Sequence, residues 1–187
     1  MKIYKLSDLN AIYDALVKNH CVLIPTDTVI GLLAKNKEVI YNIKKRDANK
    51  KLVRFVANYD LLGDLTVEQE QFLDLVWPGT VTIIKDNESY RMPNVPTIIK
   101  LVEKLGPLYC SSANISGEEP VKNHKEAIFV FGANSRLMYV EGQQTLSSPS
   151  TIIDIDKWEY VRKGANIELV ESFLKELKEN KEGNNNG

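Results

Sequence analysis

Pro107-Leu108-Tyr109-Cys110-Ser111-Ser112-Ala113-Asn114-Ile115-Ser116-Gly117 divides sharply into two halves. The first four residues form a short apolar run that reads as a strand. Of the seven that follow, four carry hydrogen-bonding side chains and none is charged. Small hydroxyl and amide groups at a strand end can donate and accept while leaving a ligand room to approach the backbone. The same residues also suit a polar turn or a helix cap. Both readings stand on this stretch alone. Upstream, Ile98, Ile99, Val102 and Leu105 recur at helical spacing, so a helix, a strand and a polar loop follow one another.

That alternation extends in both directions. Residues 1–6 suit a short edge strand, and Ser7 is placed to cap a helix bearing Leu9, Ile12, Tyr13 and Leu16. Residues 21–25 are continuously apolar, as a strand buried on both faces requires. Residues 31–34 suit another strand, and Val39, Ile40 and Ile43 mark a helix ending near Arg46. Residues 52–57 read as a strand. Thr66 and Gln69 have capping-box spacing and open a helix that Pro78-Gly79 stops. Strands are expected over 80–85, at 90–92, and late in the chain over 137–140, 151–155 and 158–162. Asn123 and Glu126 are placed to cap another helix, and Val170, Phe173, Leu174 and Leu177 form the apolar stripe of a last one. The interleaving predicts an α/β fold, one domain over 1–179 with a twisted, mixed sheet flanked by helices. Residues 180–187, rich in Asn, Gly and Lys, are expected as a disordered tail.

Composition narrows the function classes. The chain has 187 residues, 43% hydrophobic, with a formal net charge of −1. Such a balance gives no global attraction to nucleic acid or membrane, so any basic site is local. No apolar stretch has the length of a membrane span. The N-terminus is too short and polar for a signal peptide, and a cytoplasmic location is expected. Cys21 and Cys110 sit in apolar runs and read as buried thiols rather than a disulfide. Two histidines, His20 and His124, give little support to a His-based metal site or triad.

Polar clusters adjoin three strand-like runs: Pro25-Thr26-Asp27-Thr28, the stretch from Ser111 to Gly117, and Ser147-Ser148-Pro149-Ser150-Thr151. Ligands of open α/β sheets gather at strand ends, so three such termini line one pocket if the topology brings them together. The basic stretch Lys44, Lys45, Arg46, Lys50, Lys51 and Arg54 suits a triphosphate clamp, an RNA contact or a solvated helix face. Arg91 lies in an apolar neighbourhood and needs an acidic partner, from a substrate or from the protein. The Gly-rich phosphate motifs are absent, so a nucleotide would be held by separated side chains.

The order of these segments resembles the YrdC/Sua5 family, the threonylcarbamoyl-AMP synthases. The resemblance rests on Pro25-Thr26-Asp27-Thr28-Val29-Ile30-Gly31-Leu32, Lys44-Lys45-Arg46, Trp77-Pro78-Gly79-Thr80-Val81-Thr82 and Arg91-Met92-Pro93. It continues through Ser112 to Gly117, Ser150-Thr151-Ile152-Ile153-Asp154 and Arg162-Lys163-Gly164-Ala165. It implies a nucleotidyltransferase that makes threonylcarbamoyl-AMP and pyrophosphate from L-threonine, bicarbonate and ATP, with Mg²⁺ accompanying the ATP. The product would serve threonylcarbamoyladenosine formation in tRNA. Partners would be tRNA and the complex that transfers the threonylcarbamoyl group.

By matched position, Lys44, Arg46, Ser112 and Asn114 resemble the family's catalytic and ATP-binding set, and Arg162 resembles a residue that reaches the phosphates. Arg91 would pair with the threonine carboxylate, and Thr26, Thr28 and Ser150 would surround the rest of the amino acid. The sequence departs from the family pattern in three places. Ile30 stands where Tyr is common, which would remove an aromatic wall. Asp47 stands where Pro is common, so the following loop is expected on another path. Ser111 also replaces Pro and reads as structural. The chain resembles the family's short, single-domain form. Two alternatives remain: a non-catalytic RNA-binding module on this fold, motivated by the basic stretch, and a related carbamoyl-adenylate activity with another acceptor.

Overall fold

In the computed structural model, which describes residues 1–185, strands and helices alternate along the chain. The elements are β1 (Ile3–Tyr4), α1 (Leu9–Val17), β2 (Cys21–Pro25), β3 (Ile30–Ala34), α2 (Lys37–Lys44), β4 (Val53–Phe55), α3 (Val67–Val76), β5 (Val81–Lys85) and β6 (Glu88–Arg91). There follow α4 (Pro96–Leu105), β7 (Leu108–Ser112), α5 (His124–Phe131), β8 (Leu137–Val140), β9 (Thr151–Asp154), β10 (Glu159–Arg162) and α6 (Ile167–Asn185). The strands form one ten-stranded sheet in the order β1-β8-β2-β3-β7-β4-β6-β5-β9-β10. Pairs such as β2–β8 and β5–β9 are parallel, while β2–β3, β3–β7 and β5–β6 are antiparallel, so the sheet is mixed as expected.

Burial follows strand parity. Cys21 and Leu23 join Ile30 and Leu32 in a core with Val39, Ile40 and Ile43 of α2 and Ala127 of α5. The alternate residues Val22 and Ile24 join Leu33, Cys110 and Phe55 under α1 and α4. Both faces of β2 are therefore covered, which is why its sequence is continuously apolar. A third core packs Val81, Ile83, Tyr90 and Ile153 against α3 and α6. Register places Ile83 beside Tyr90 and Ile153, so the intervening residues of β5, β6 and β9 emerge on the other face. No helical core covers that other face of β6, β5 and β9 among the described residues, and this bare stretch floors the pocket described below.

Local signals held in part. Thr66 and Gln69 form the reciprocal capping box of α3, and Asn123 caps α5 by accepting from Lys125 and Glu126. The start of α1 differs from expectation. Its N-cap is Asp8, not Ser7, and the Asp8 carboxylate instead accepts from the Lys5 amide at 2.8 Å. The expected disordered tail also differs, because α6 continues through residues 180–185, while 186–187 lie outside the described residues. Val170, Phe173 and Leu174 anchor this helix to the third core. The Lys- and Glu-rich sequence over 175–182 has high intrinsic helix propensity and carries the helix past residue 180, while Gly183, Asn184 and Asn185 are poor helix formers at its end.

Candidate functional site

The three polar clusters come together. Thr26 and Thr28 after β2, Ser111 and Ser112 at the end of β7, and Ser150 before β9 all line one open pocket of about 280 Å³. Its floor is one sheet face, on which Phe55, Thr82, Ser89, Arg91, Cys110, Ile152 and Arg162 lie by register and all line the pocket. Phe55 and Cys110 sit at the edge of the core under α1 and α4, and the residues of β6, β5 and β9 form its bare part. A larger groove of about 630 Å³ lies between β10 and α6 around Trp158 and Tyr160, and it contains none of the candidate residues.

Asp27 locks one wall. Its carboxylate pairs with the Arg91 guanidinium and accepts from the Asn94 amide at 2.9 Å. Arg91 also donates through Nε to the Gly79 carbonyl at 3.1 Å and through Nη1 to Thr28 Oγ1 at 3.2 Å. The acid that Arg91 needed is therefore a structural one, and two of its five N–H groups remain for a ligand. Thr26 Oγ1 donates to the Val29 carbonyl at 2.7 Å and accepts from the Thr28 amide at 3.1 Å. The two threonines thus hold the turn as well as line the pocket.

Lys44 and Asn114 take a different position from the other candidates, because neither lines the pocket. Lys44 is 1% exposed. Its ammonium donates to Ser112 O at 2.5 Å, Asn114 O at 2.9 Å and Asn114 Oδ1 at 2.8 Å. Burial, with the Arg46 charge beside it, pulls the Lys44 ammonium down to about 8. Ser112 Oγ donates to the same Asn114 Oδ1 at 2.6 Å, and Asn114 Nδ2 donates to Ile115 O and Glu118 O. Lys44, Ser112 and Asn114 form one network in which Lys44 stands behind the loop and fixes its shape.

Arg46 does line the pocket. Its Nη1 reaches Ser111 Oγ at 3.5 Å, its Nη2 donates to Lys51 O at 3.0 Å, and its buried Nε has no hydrogen-bond partner among the described residues. A buried donor without an acceptor is costly and points to a ligand oxygen. The loop after Arg46 is tied down: Tyr41 Oη donates to Lys50 O at 2.7 Å, and the Lys51 ammonium donates to Asn87 O. The basic stretch does not form one patch. Lys44 is buried, Arg46 faces the pocket and Arg54 lies over the Tyr109 ring.

Arg162 comes from the outermost strand and meets Ser150, donating to its carbonyl at 3.0 Å and to its hydroxyl at 3.1 Å. Burial, with Arg91 nearby, shifts the Arg162 guanidinium downward. Arg162 thus joins the Ser150 side of the pocket rather than the network around Lys44. Cys110 lines the pocket, but burial pushes its thiol up to about 12, which disfavours the nucleophilic thiolate.

Thr82 and Asp27 stood within the quoted motifs but outside the candidate site, and Ser89 was not singled out; Thr82 and Ser89 line the pocket, Asp27 pairs with Arg91, and Ser111 lines the pocket beyond its expected structural role. The apolar–polar alternation of Val81-Thr82-Ile83 carried the signal for Thr82. Ile30 was expected to open an aromatic wall. It packs fully buried in the core with α2, so this position does not face the pocket. Among the described residues, no group of three or more His, Cys, Asp or Glu side chains is placed to hold a metal, and no helix is long and apolar enough to cross a membrane.

Comparison with known proteins supplies the family. The model for Sua5_yciO_yrdC, described as telomere recombination, matches residues 14–164. An uncharacterized protein, the MG259 homolog of Mycoplasma pneumoniae, is 38% identical over 120 residues, covering 64% of this chain and 26% of that protein. The chain likewise spans 31% of MG259 of Mycoplasma genitalium, so it matches only a minor part of either mycoplasma protein. The threonylcarbamoyl-AMP synthase of Yersinia enterocolitica is 28% identical over 152 residues, covering 67% of this chain and 80% of that one. The crystal structure of P. abyssi Sua5 complexed with L-threonine superposes with a TM-score of 0.80 at 24% identity, over 92% of this chain and 58% of that one.

Proposed function

The chain belongs to the Sua5/YciO/YrdC family, and from that premise we propose that it is a threonylcarbamoyl-AMP synthase. The reaction joins L-threonine, bicarbonate and ATP into threonylcarbamoyl-AMP and releases pyrophosphate and water. The observation that carries this reading is the convergence of three arginines and three hydroxyl clusters on one pocket. Such a pocket offers many fixed donors for oxyanions and no activated nucleophile, which suits adenylate formation by positioning and charge stabilisation.

The proposed roles draw on the geometry for support. Arg46, with its unpartnered Nε, receives triphosphate oxygens and stabilises charge as pyrophosphate leaves. Ser112, on the pocket wall, contacts the nucleotide, and Asn114 serves with Lys44 by holding the shape of that loop. The two free N–H groups of Arg91 receive the threonine carboxylate, with Thr26, Thr28 and Ser150 around the amino acid. Arg162 serves the phosphate under attack from the Ser150 side. Mg²⁺ bound to the ATP would offset phosphate charge; Asp27, beside the pocket, is already held by Arg91 and Asn94. On this reading the product passes, in the cytoplasm, to the complex that modifies tRNA.

The test is pyrophosphate release with threonine, serine and valine compared at fixed ATP, Mg²⁺ and bicarbonate. A site built to pair the hydroxyl rejects valine, whose isosteric methyl leaves polar groups unpaired. Threonine should be the best acceptor and valine inert. Equal release with all three, or with none added, would overturn the proposal.

A further inference from the structure

We infer that Thr82, absent from the expected site, is a positioning residue that fixes the Ser150 hydroxyl as a hydrogen-bond donor toward the pocket. Thr82 is fully buried in β5, on the face that floors the pocket. Its hydroxyl lies 2.8 Å from Ser150 Oγ, and has no other hydrogen-bond partner among the described residues. Distance alone leaves open which oxygen donates. Proton accounting decides it.

A hydroxyl has one hydrogen and two acceptor lone pairs. Arg162 can only donate, so Ser150 Oγ accepts from Arg162 Nη2 at 3.1 Å. If Ser150 also donated to Thr82, the Thr82 hydrogen would be left buried without an acceptor. Leaving a buried donor unmade is the costlier arrangement. Thr82 therefore donates, Ser150 accepts twice, and the Ser150 hydrogen is directed into the pocket.

The backbone beneath Ser150 cannot compensate by moving. The Ala165 amide donates to Pro149 O at 2.8 Å, and Thr151 Oγ1 donates to Ala165 O at 2.7 Å. A Cβ at Gly164 would meet Pro149 O at 2.4 Å, so the two segments are in close contact. The hydroxyl direction is left to Thr82 and Arg162. The ligand group facing Ser150 must then be an acceptor, as a carboxylate or carbamate oxygen is and an ammonium is not. This step rests on the proposed reaction, in which Ser150 faces the amino acid.

The experiment measures KM for threonine and kcat for wild type, Thr82→Ser, Thr82→Val, Ser150→Ala and the Val/Ala double variant. Loss of one orienting hydrogen bond should raise the threonine KM of Thr82→Val about five- to tenfold with kcat little changed. Thr82→Ser keeps the hydroxyl and should restore most of the affinity. In the Ser150→Ala background, Thr82→Val should add nothing further. A merely structural role for Thr82 would lower thermal stability and active fraction without moving KM. An unchanged KM in Thr82→Val, or full additivity in the double variant, overturns this inference while leaving the reaction standing. Wild type that releases no threonine-dependent pyrophosphate overturns the reaction and this inference together.

Discussion

Replacing Lys44 by methionine should loosen the Ser112–Asn114 loop more than it harms the core. Methionine keeps the unbranched stem, so little cavity forms, while the ammonium and its three donors are lost. The acceptors are not equally exposed to that loss. Ser112 O keeps a hydrogen bond from the Asn114 amide at 3.1 Å, and Asn114 Oδ1 keeps the Ser112 hydroxyl at 2.6 Å. Asn114 O has no other donor among the described residues. One orphaned buried acceptor costs about 1–3 kcal/mol. Taking about 2 kcal/mol and a chain of this size, Tm should fall by about 4–8 °C. Pyrophosphate release should fall at least about tenfold, since displacing oxyanion donors in such sites typically costs that or more. Thermal denaturation and hydrogen exchange at residues 113–118 would read the two effects, with faster exchange confined to that loop. A variant with wild-type Tm, wild-type exchange and wild-type rate would refute the role given to Lys44.

Three further outcomes follow from the same geometry. Asp27→Asn leaves the Arg91 guanidinium, 5% exposed, without its counter-ion, and should destabilise the fold by about 3 kcal/mol in urea titration. Gly164→Ala forces a Cβ to within 2.4 Å of Pro149 O, and should lower both Tm and threonine affinity by shifting Ser150 from Arg162. The pH dependence should split. Lys44 is held at about 8 in the fold against 10.5 ordinarily, so the unfolded chain binds more protons between those values and this group's contribution to stability rises with pH there. The rate, which depends on the charged Lys44, should instead fall as pH rises through about 8, checked by parallel rate and melting profiles.

The sheet was legible because its cores alternate cleanly. Continuous burial of residues 21–25 gave a central strand, and Thr66 with Gln69 gave a helix start. Strand order was not legible, because pairs such as β5–β9 join segments some seventy residues apart, and nothing local marks them. The same holds for the site. Thr26, Ser112 and Ser150 stood out as polar groups at strand ends and Arg46 as a cation at a helix end, and the fold gathered them. Lys44 was singled out by type and position, but its place behind the loop comes from tertiary packing of α2 on β3 and β7. Asp27 looked like part of a turn until β6 brought Arg91 to it. Thr82 closed a quoted family motif yet was left out of the site, because a β-branched residue within a strand is common and by its type carries no signal of a pocket. The boundary expected at 180 falls inside α6, because the Asn, Gly and Lys of the tail mark disorder by composition while the helix before them continues through Lys181 and Glu182 to its end.

The central claim is that this pocket builds a threonylcarbamoyl adenylate. Mass spectrometry of a reaction holding the protein, ATP, Mg²⁺, L-threonine and isotopically labelled bicarbonate tests it most directly. Labelled threonylcarbamoyl-AMP should accumulate with equimolar pyrophosphate, and should disappear when threonine is omitted. AMP and pyrophosphate without a labelled adenylate, or no ATP consumption at all, would contradict it.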